Sequence, residues 1–231
     1  MGYKYWTLQS PVNPIFAWFV YFGDGSSSYY DKNYESFVRL VRDAPINASA
    51  YTKISNTGVD LPETAALGSG SNDWACTKDN RTGLIWEVKT DDGGLRDMDW
   101  IYSWYEPNSS NNGGFVGYQN GNNHSEYCFG SDCDTYAYKN AVNTKKLCGS
   151  TNWRMPTLDE LKGLMTTTSS VNKPNNSSIY IDAYYFPNTK AEYWSSLSYA
   201  SNSNDAWNIN FYYQGSRHEG KYYGYVVRLV H

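Results

Sequence analysis

Apolar residues along these 231 positions follow two periods, separated by polar stretches with no period at all. Phe16-Ala-Trp-Phe-Val-Tyr-Phe22 is a continuous aromatic and β-branched run, Gly23-Asp-Gly25 reads as a turn, and residues 36–42 read as another strand. Asp79-Asn-Arg-Thr-Gly83 predicts a turn into a strand over residues 84–89. Two segments carry helical spacing instead. Asp134 can cap a helix running through Lys146, with Ala137, Ala141 and Val142 on one side. After Pro156, Thr157-Leu-Asp-Glu160 is a capping box, followed by Leu158, Leu161, Leu164 and Met165 at helical spacing. From Tyr193 to the end the pattern returns to strand type. Residues 43–72 read as a surface connector, 106–133 as long Asn-, Gly- and Ser-rich loops, and 166–178 as a polar stretch. Strands at both ends, two helices and a loop-rich centre predict an α+β fold, with a compact domain starting near Trp74.

The two strand-type ends are versions of one segment. Residues 3–42 contain Tyr5-Trp6, Ala17-Trp18, Phe22 and Val38-Arg-Leu-Val41; residues 191–231 contain Tyr193-Trp194, Ala206-Trp207, Phe211 and Val227-Arg-Leu-Val230, offset by 188 to 190 residues. Between these anchors the residues differ: the first copy has Phe19, Tyr21, Ser26, Ser27, Tyr29, Tyr30, Lys32 and Asn33, and the second has Asn208, Asn210, Tyr212, Tyr213, Arg217, His218, Tyr222 and Tyr223. Fixed apolar anchors with exchanged polar positions are the pattern of a binding surface on a constant scaffold. The expected organisation is a partial repeat over 1–43, a connector over 44–72 and a main domain over 73–231. A chain opening inside a repeat is expected to be a fragment of a longer protein, so its lack of a signal peptide carries little weight.

Composition narrows the partners. There are 23 Tyr and 9 Trp, while only 18% of residues are charged. Tyr with Ser, Gly and Asn is also the makeup of antibody paratopes, where rings supply contact area and small polar groups adapt. A net charge of −4, with no basic stripe, gives phosphate backbones nothing to bind and disfavours heparin-like ligands. The longest apolar run, residues 14–22, is far short of a membrane span. Four cysteines without metal-type spacing read as two disulfides and an oxidising compartment. Of the three pairings, Cys128 with Cys133, closing a small loop, and Cys76 with Cys148 is favoured.

An ordered set of motifs carries a resemblance: Trp74-Ala-Cys76, Thr82-Gly-Leu-Ile-Trp86, Cys148-Gly, Asn152-Trp-Arg-Met-Pro-Thr157, Tyr193-Trp-Ser-Ser196 and Val227-Arg-Leu-Val230. Over roughly residues 50–231 these resemble the C-terminal domain family of bacterial collagen-like adhesins (the Lcl C-terminal domain), within the C-type-lectin-like superfamily. Residues 3–42 match only its last portion. The resemblance implies two helices against a small core sheet, and a second sheet with a loop-rich ligand face. In some variable proteins of that superfamily, diversity-generating retroelements rewrite the last segment and enrich Asn, Tyr, Ser, Asp and His there. Tyr199, Asn204, Asp205, Asn208, Asn210, Tyr212, Tyr213, Arg217, His218, Tyr222 and Tyr223 look like such a face. A bacterial cell-surface or secreted protein is implied, binding a protein or glycan on another surface. Trimers among related adhesins leave a homo-oligomer open.

Other chemistry is weaker. Glu106-Pro-Asn108 matches a tripeptide by which sugar-binding C-type lectins hold calcium, and its oxygens are suitable hard ligands. The second element, Trp-Asn-Asp, is missing, since Ile209 follows Trp207-Asn208. Asp91, Asp92, Asp97 and Asp99 form an acidic cluster of the kind that more often marks a solvated loop. Trp153-Arg-Met-Pro-Thr157 and Val227-Arg228 also resemble sulfatase-activating oxidases, which need reactive thiolates in the C-terminal half of the site; no cysteine follows Cys148. His124, His218 and His231 fit no triad or metal pattern. Arg39, Arg154 and Arg228 read as structural ion pairs or backbone contacts, and the tryptophans as core. The expectation is a ligand-binding domain, not an enzyme, which requires no cofactor. The alternatives are a fibre or oligomer subunit packing through residues 3–42, and a calcium-dependent lectin using Glu106 and Asn108.

Overall fold

The run beginning at Phe16 forms a strand in the computed structural model, which describes residues 4–6, 15–21, 26–38, 49–123, 127–172 and 176–231. The chain divides into two units, residues 1–48 and 49–231. In the first, β1 (Lys4–Trp6), β2 (Phe16–Tyr21) and β3 (Ser27–Asp31) form an antiparallel sheet in that order. The expected turn at Gly23-Asp-Gly25, and residues 39–42 of the strand expected over 36–42, lie outside the described residues. Phe37 makes a parallel bridge to Tyr5.

The second unit opens with a four-stranded antiparallel sheet. Its strands are β4 (Tyr51–Ser55), β5 (Asp60–Leu61), β6 (Trp74–Asp79) and β7 (Ile85–Glu87), in the order β5-β4-β6-β7. Residues 51–61, read from sequence as part of a connector, therefore contribute two strands to this sheet. Tyr-Thr-Lys-Ile-Ser shows no clean alternation because Lys53 is buried there. Its ammonium donates to the Ala65 carbonyl at 2.9 Å and lies 4.0 Å from the Trp74 ring centroid, so the charge is satisfied without water. The expected turn forms at Asp79, whose Oδ1 accepts the Arg81 N–H at 2.9 Å.

Both helices stand where their caps predict. Asp134 accepts the Ala137 N–H and starts α1 (Thr135–Thr144). Thr157 and Glu160 form a reciprocal capping box on α2 (Leu158–Gly163). The second helix stops short of Met165, which begins β8 (Met165–Asn172); this strand pairs with β9 (Ser177–Ile181). The polar stretch expected over 166–178 thus lies largely in two paired strands rich in Thr and Ser, residues compatible with a pleated, half-exposed surface. Last come β10 (Glu192–Ser198), β11 (Asp205–Asn210) and β12 (Gly215–Gly220), antiparallel in that order. The result is a sheet-rich α+β domain.

The C-terminal segment joins two cores. Val226 and Val230 pack with Leu161 of α2 and Leu164 just after it, Trp86, Tyr193, Ile209 and Phe211. Val227 and Leu229 face Ala75, Tyr138, Val142 and Trp153, beside the Cys76–Cys148 disulfide. Between them Arg228 is fully buried, donating to the Glu87 carbonyl at 2.9 Å and to the Thr189 hydroxyl at 2.8 Å. The Glu87 carboxylate accepts from Lys89 at 3.0 Å, from the Leu229 N–H at 2.9 Å and from the Tyr138 hydroxyl. Every charge in this interior has a partner, as burial requires. Cys128 is bonded to Cys133, which completes the favoured pairing.

The two end sheets share a register at the offset of the sequence repeat. Tyr5↔Val20 and Trp6↔Phe19 in the first correspond to Tyr193↔Ile209 and Trp194↔Asn208 in the last. Trp18↔Tyr29 corresponds to Trp207↔His218, and the Tyr5–Phe37 bridge to Tyr193–Val226. The apolar anchors fix the backbone in both, while the intervening side chains differ.

Candidate ligand-binding face

The register of β11 with β12 decides where the variable residues point. Trp207 lies opposite His218 and Asn208 opposite Arg217; because side chains alternate along a strand, these neighbouring pairs leave the sheet on opposite sides. The sequence-predicted set is therefore divided. On one side His218 stacks on Tyr199 with ring centroids 3.8 Å apart, meets Trp207 edge-on, and pairs with Asp205 at 3.0 Å. On the other, Arg217 pairs with Glu192 and, at 3.3 Å, with Glu219, close to the Tyr225 hydroxyl.

Several members of the set hold the fold. Asn210 is buried, and its side-chain oxygen accepts the Tyr212 and Tyr213 N–H groups at 2.8 and 3.1 Å, closing the turn between β11 and β12. Asn208 is fully buried, and neither end of its carboxamide has a hydrogen-bond partner within the structure. Asn204 is exposed in a turn in which its N–H donates to Asn202 at 3.1 Å, and its carbonyl accepts from Lys221. Tyr212 is half-buried against the core that contains Phe211. Tyr213, 85% exposed, is the most solvent-facing ring of the set.

Tyr222 and Tyr223 are both exposed and lie ring to ring at 4.4 Å. They belong to a longer aromatic row. Tyr118 meets Tyr222 edge-on at 6.1 Å, and Tyr225 follows Tyr223 at 6.4 Å. Sequence reasoning missed Tyr118, which comes from a loop about a hundred residues upstream with no pattern to mark it. Lys221 seats that loop: its buried ammonium donates to the Asn112 and Phe115 carbonyls at 2.8 and 2.7 Å, over the Trp104 ring. Burial lowers its pKa to about 8, against the pull of Asp205.

Beside this row lies a cavity of about 410 Å³. Met98, Ile101 and Val226 give it an apolar lining, Tyr212 and Tyr225 are its aromatic residues, and Asp99, Lys190 and Glu192 its charged ones. Burial, with Glu192 and Glu219 adding, pushes the Tyr225 hydroxyl up to about 12, so it stays a protonated donor. Sequence reasoning also passed over Tyr225, Lys190 and Glu192; the only signal was their position at the edges of the variable segment.

The weaker metal candidates serve local turns. Glu106 Oε1 accepts the Asn108 N–H at 2.9 Å, and Asn108 Oδ1 accepts the Ser110 N–H at 3.0 Å. Among the described residues Asp91, Asp97 and Asp99 bring ligand oxygens within 4.8 Å of one another, but Asp97 already accepts three backbone N–H groups and Asp99 pairs with Lys190. His231 packs on Trp153, where burial lowers its pKa, and His124 lies outside the described residues. Arg154 pairs with Glu160. Trp86, Trp153 and Trp194 are core, Trp6, Trp18 and Trp207 are half-buried, and Arg39 lies outside the described residues.

No helix among the described residues is long and apolar enough to cross a membrane, and the two disulfides fit an oxidising, extracellular setting. No curated protein and no solved structure matches the chain. The model of the Lcl C-terminal domain matches residues 75–231, spanning β7, both helices, the last sheet and the buried Val227-Arg-Leu-Val230. The chain belongs to the Lcl C-terminal domain family.

Proposed function

We propose that this chain is an exported adhesion domain with a C-type-lectin-like fold, which binds a protein or glycan on another surface without chemically altering it. The observation that carries the reading is the aromatic row of Tyr118, Tyr222, Tyr223 and Tyr225, its middle two rings exposed and its outer two half-buried, beside a sheet whose backbone is fixed by buried anchors. Adjacent tyrosines supply contact area at low entropic cost, and their hydroxyls orient a ligand. Family membership supports an adhesin-like role. The test is a screen of the chain on glycan and host-surface arrays, with calcium and again with chelator. Tyr222→Ala/Tyr223→Ala should lose at least tenfold in binding with an unchanged melting temperature, as expected of rings that carry contact rather than packing. Full binding by the double variant would place the ligand elsewhere, and chelator-sensitive glycan binding would favour a calcium site at Glu106 and Asn108.

A second reading, a subunit of a fibre or oligomer, draws on the first unit. Val38 is 64% exposed there, whereas its counterpart Val227 is fully buried. Deletion of residues 1–43 would abolish assembly under this reading and leave it untouched under the first.

A further inference from the structure

We propose that the cavity between Tyr212 and Tyr225 receives a lysine or arginine side chain from a protein partner, an inference that rests on the ligand-binding reading above and specifies its chemistry. Three features of the cavity argue for a basic side chain. Its apolar lining of Met98, Ile101, Ala191 and Val226 suits an aliphatic stem, which long basic residues lay along apolar surface while the charged head stays outside. Its aromatic residues are tyrosines, whose ring faces attract cations. Its charge is unbalanced: on the lining Asp99 and Glu192 stand against Lys190, Asp91 and Asp97 lie beside Asp99, and Arg217, which pairs with Glu192, pairs with Glu219 as well. An incoming cation therefore meets a net negative mouth.

The molecule already makes this contact with itself. Lys190 lies on the lining and places its ammonium on Asp99, so an ammonium–carboxylate pair at the mouth is sterically allowed and exchangeable with an external one. Asp99 and Lys190 are both partly exposed, so exchange does not require opening the core. The repeat supplies an independent argument. At the position of Glu192 the first unit has Lys4, which lies over the Phe19 and Tyr30 rings, and at the position of Tyr225 it has Ser36. The anchors are kept while both the carboxylate and the aromatic wall are lost, so the cavity's chemistry belongs to this copy and not to the scaffold.

The experiment is a titration of the ¹⁵N-labelled full chain with Nα-acetyl-lysine amide and Nα-acetyl-arginine amide, followed by NMR. Nα-acetyl-norleucine amide serves as the neutral isostere. The basic amides should shift the resonances of Ala191, Glu192, Gly224 and Val226, bind at least about fivefold tighter than norleucine amide, and weaken as salt is raised. Asp99→Asn and Glu192→Gln, each with an otherwise intact spectrum, should each reduce the preference severalfold; Tyr213→Ala should not. Equal binding of norleucine amide, or no shift at these residues, overturns the proposal. Shifts confined to Tyr118, Tyr222 and Tyr223 also overturn it while leaving the aromatic-row reading intact. That reading fails separately, through the array screen of the double tyrosine variant.

Discussion

Glu160 performs two tasks at the start of α2. Its Oε2 accepts the Thr157 N–H at 2.8 Å, and the Arg154 guanidinium grips both carboxylate oxygens at 2.6 and 2.8 Å. The Arg154 hydrogen bonds, with burial opposing and Thr157 assisting, hold its pKa down from the ordinary 4.5 to about 2. The carboxylate's contribution is therefore whole above about pH 4.5 and is lost as pH falls toward 2. Because the pair is partly exposed, solvent screening limits it to about 1 kcal/mol. Glu160→Gln should cost about that much at pH 7 and flatten the acid limb of a stability–pH curve measured by urea unfolding. An unchanged acid limb would assign that limb to other carboxylates. The capping box was legible because its residues are three apart in sequence. Arg154 was expected to make a structural pair, but its partner became known only from the structure.

Among the elements, the loop from Asn112 to Tyr118 depends on one side chain of the segment after β12. Lys221 holds two of its carbonyls, and Gly117 passes so close to Trp104 that an added Cβ would lie 2.0 Å from the Trp104 carbonyl oxygen. Lys221→Met keeps the stem over Trp104 and removes the two charge-assisted hydrogen bonds, at a cost of about 2 kcal/mol. Hydrogen exchange should accelerate over residues 112–118, and binding should weaken as Tyr118 loses its seat beside Tyr222. A uniform rise in exchange across the domain would show a global effect instead. Nothing in the sequence marks Lys221 as buried, because its acceptors lie more than a hundred residues away and are backbone carbonyls. Lys53 in β4 was illegible although its acceptor, the Ala65 carbonyl, is near in sequence, because a backbone carbonyl carries no residue signature.

Across the whole molecule, the disulfides differ in the span of chain they close. Cys76 and Cys148 are 72 residues apart and tie β6 to the segment after α1; Cys128 and Cys133 are 5 apart. On chain entropy alone the long closure contributes about 4 kcal/mol and the short one about 2. Denaturant unfolding of Cys76→Ala/Cys148→Ala and Cys128→Ala/Cys133→Ala should show the larger loss for the first pair. Equal losses would mean that native packing, and not loop closure, sets both values. The long bridge also lies in the core shared with Val227 and Leu229, so its removal should loosen the seat of the C-terminal segment that follows the ligand face.

What the sequence determined by itself was local or repeated. Helix caps act over three residues, the Asp79 turn over four, and the anchors Tyr193-Trp194, Ala206-Trp207 and Val227-Arg-Leu-Val230 announced themselves by recurring at a fixed offset. The α+β class followed from these periods. Only the tertiary structure decided which side of the last sheet each variable residue takes. A strand's side chains alternate with period two, so a list of Tyr, Asn and His positions carries no face until the register is known. Register placed His218 with Tyr199 and Arg217 with Glu192 and buried Asn208 and Asn210, while Tyr222 and Tyr223, beyond the end of β12, are exposed. Tyr118, which meets Tyr222, and the cavity residues Met98 and Asp99 come from distant loops. Long-range packing brought them there, and no sequence period records it.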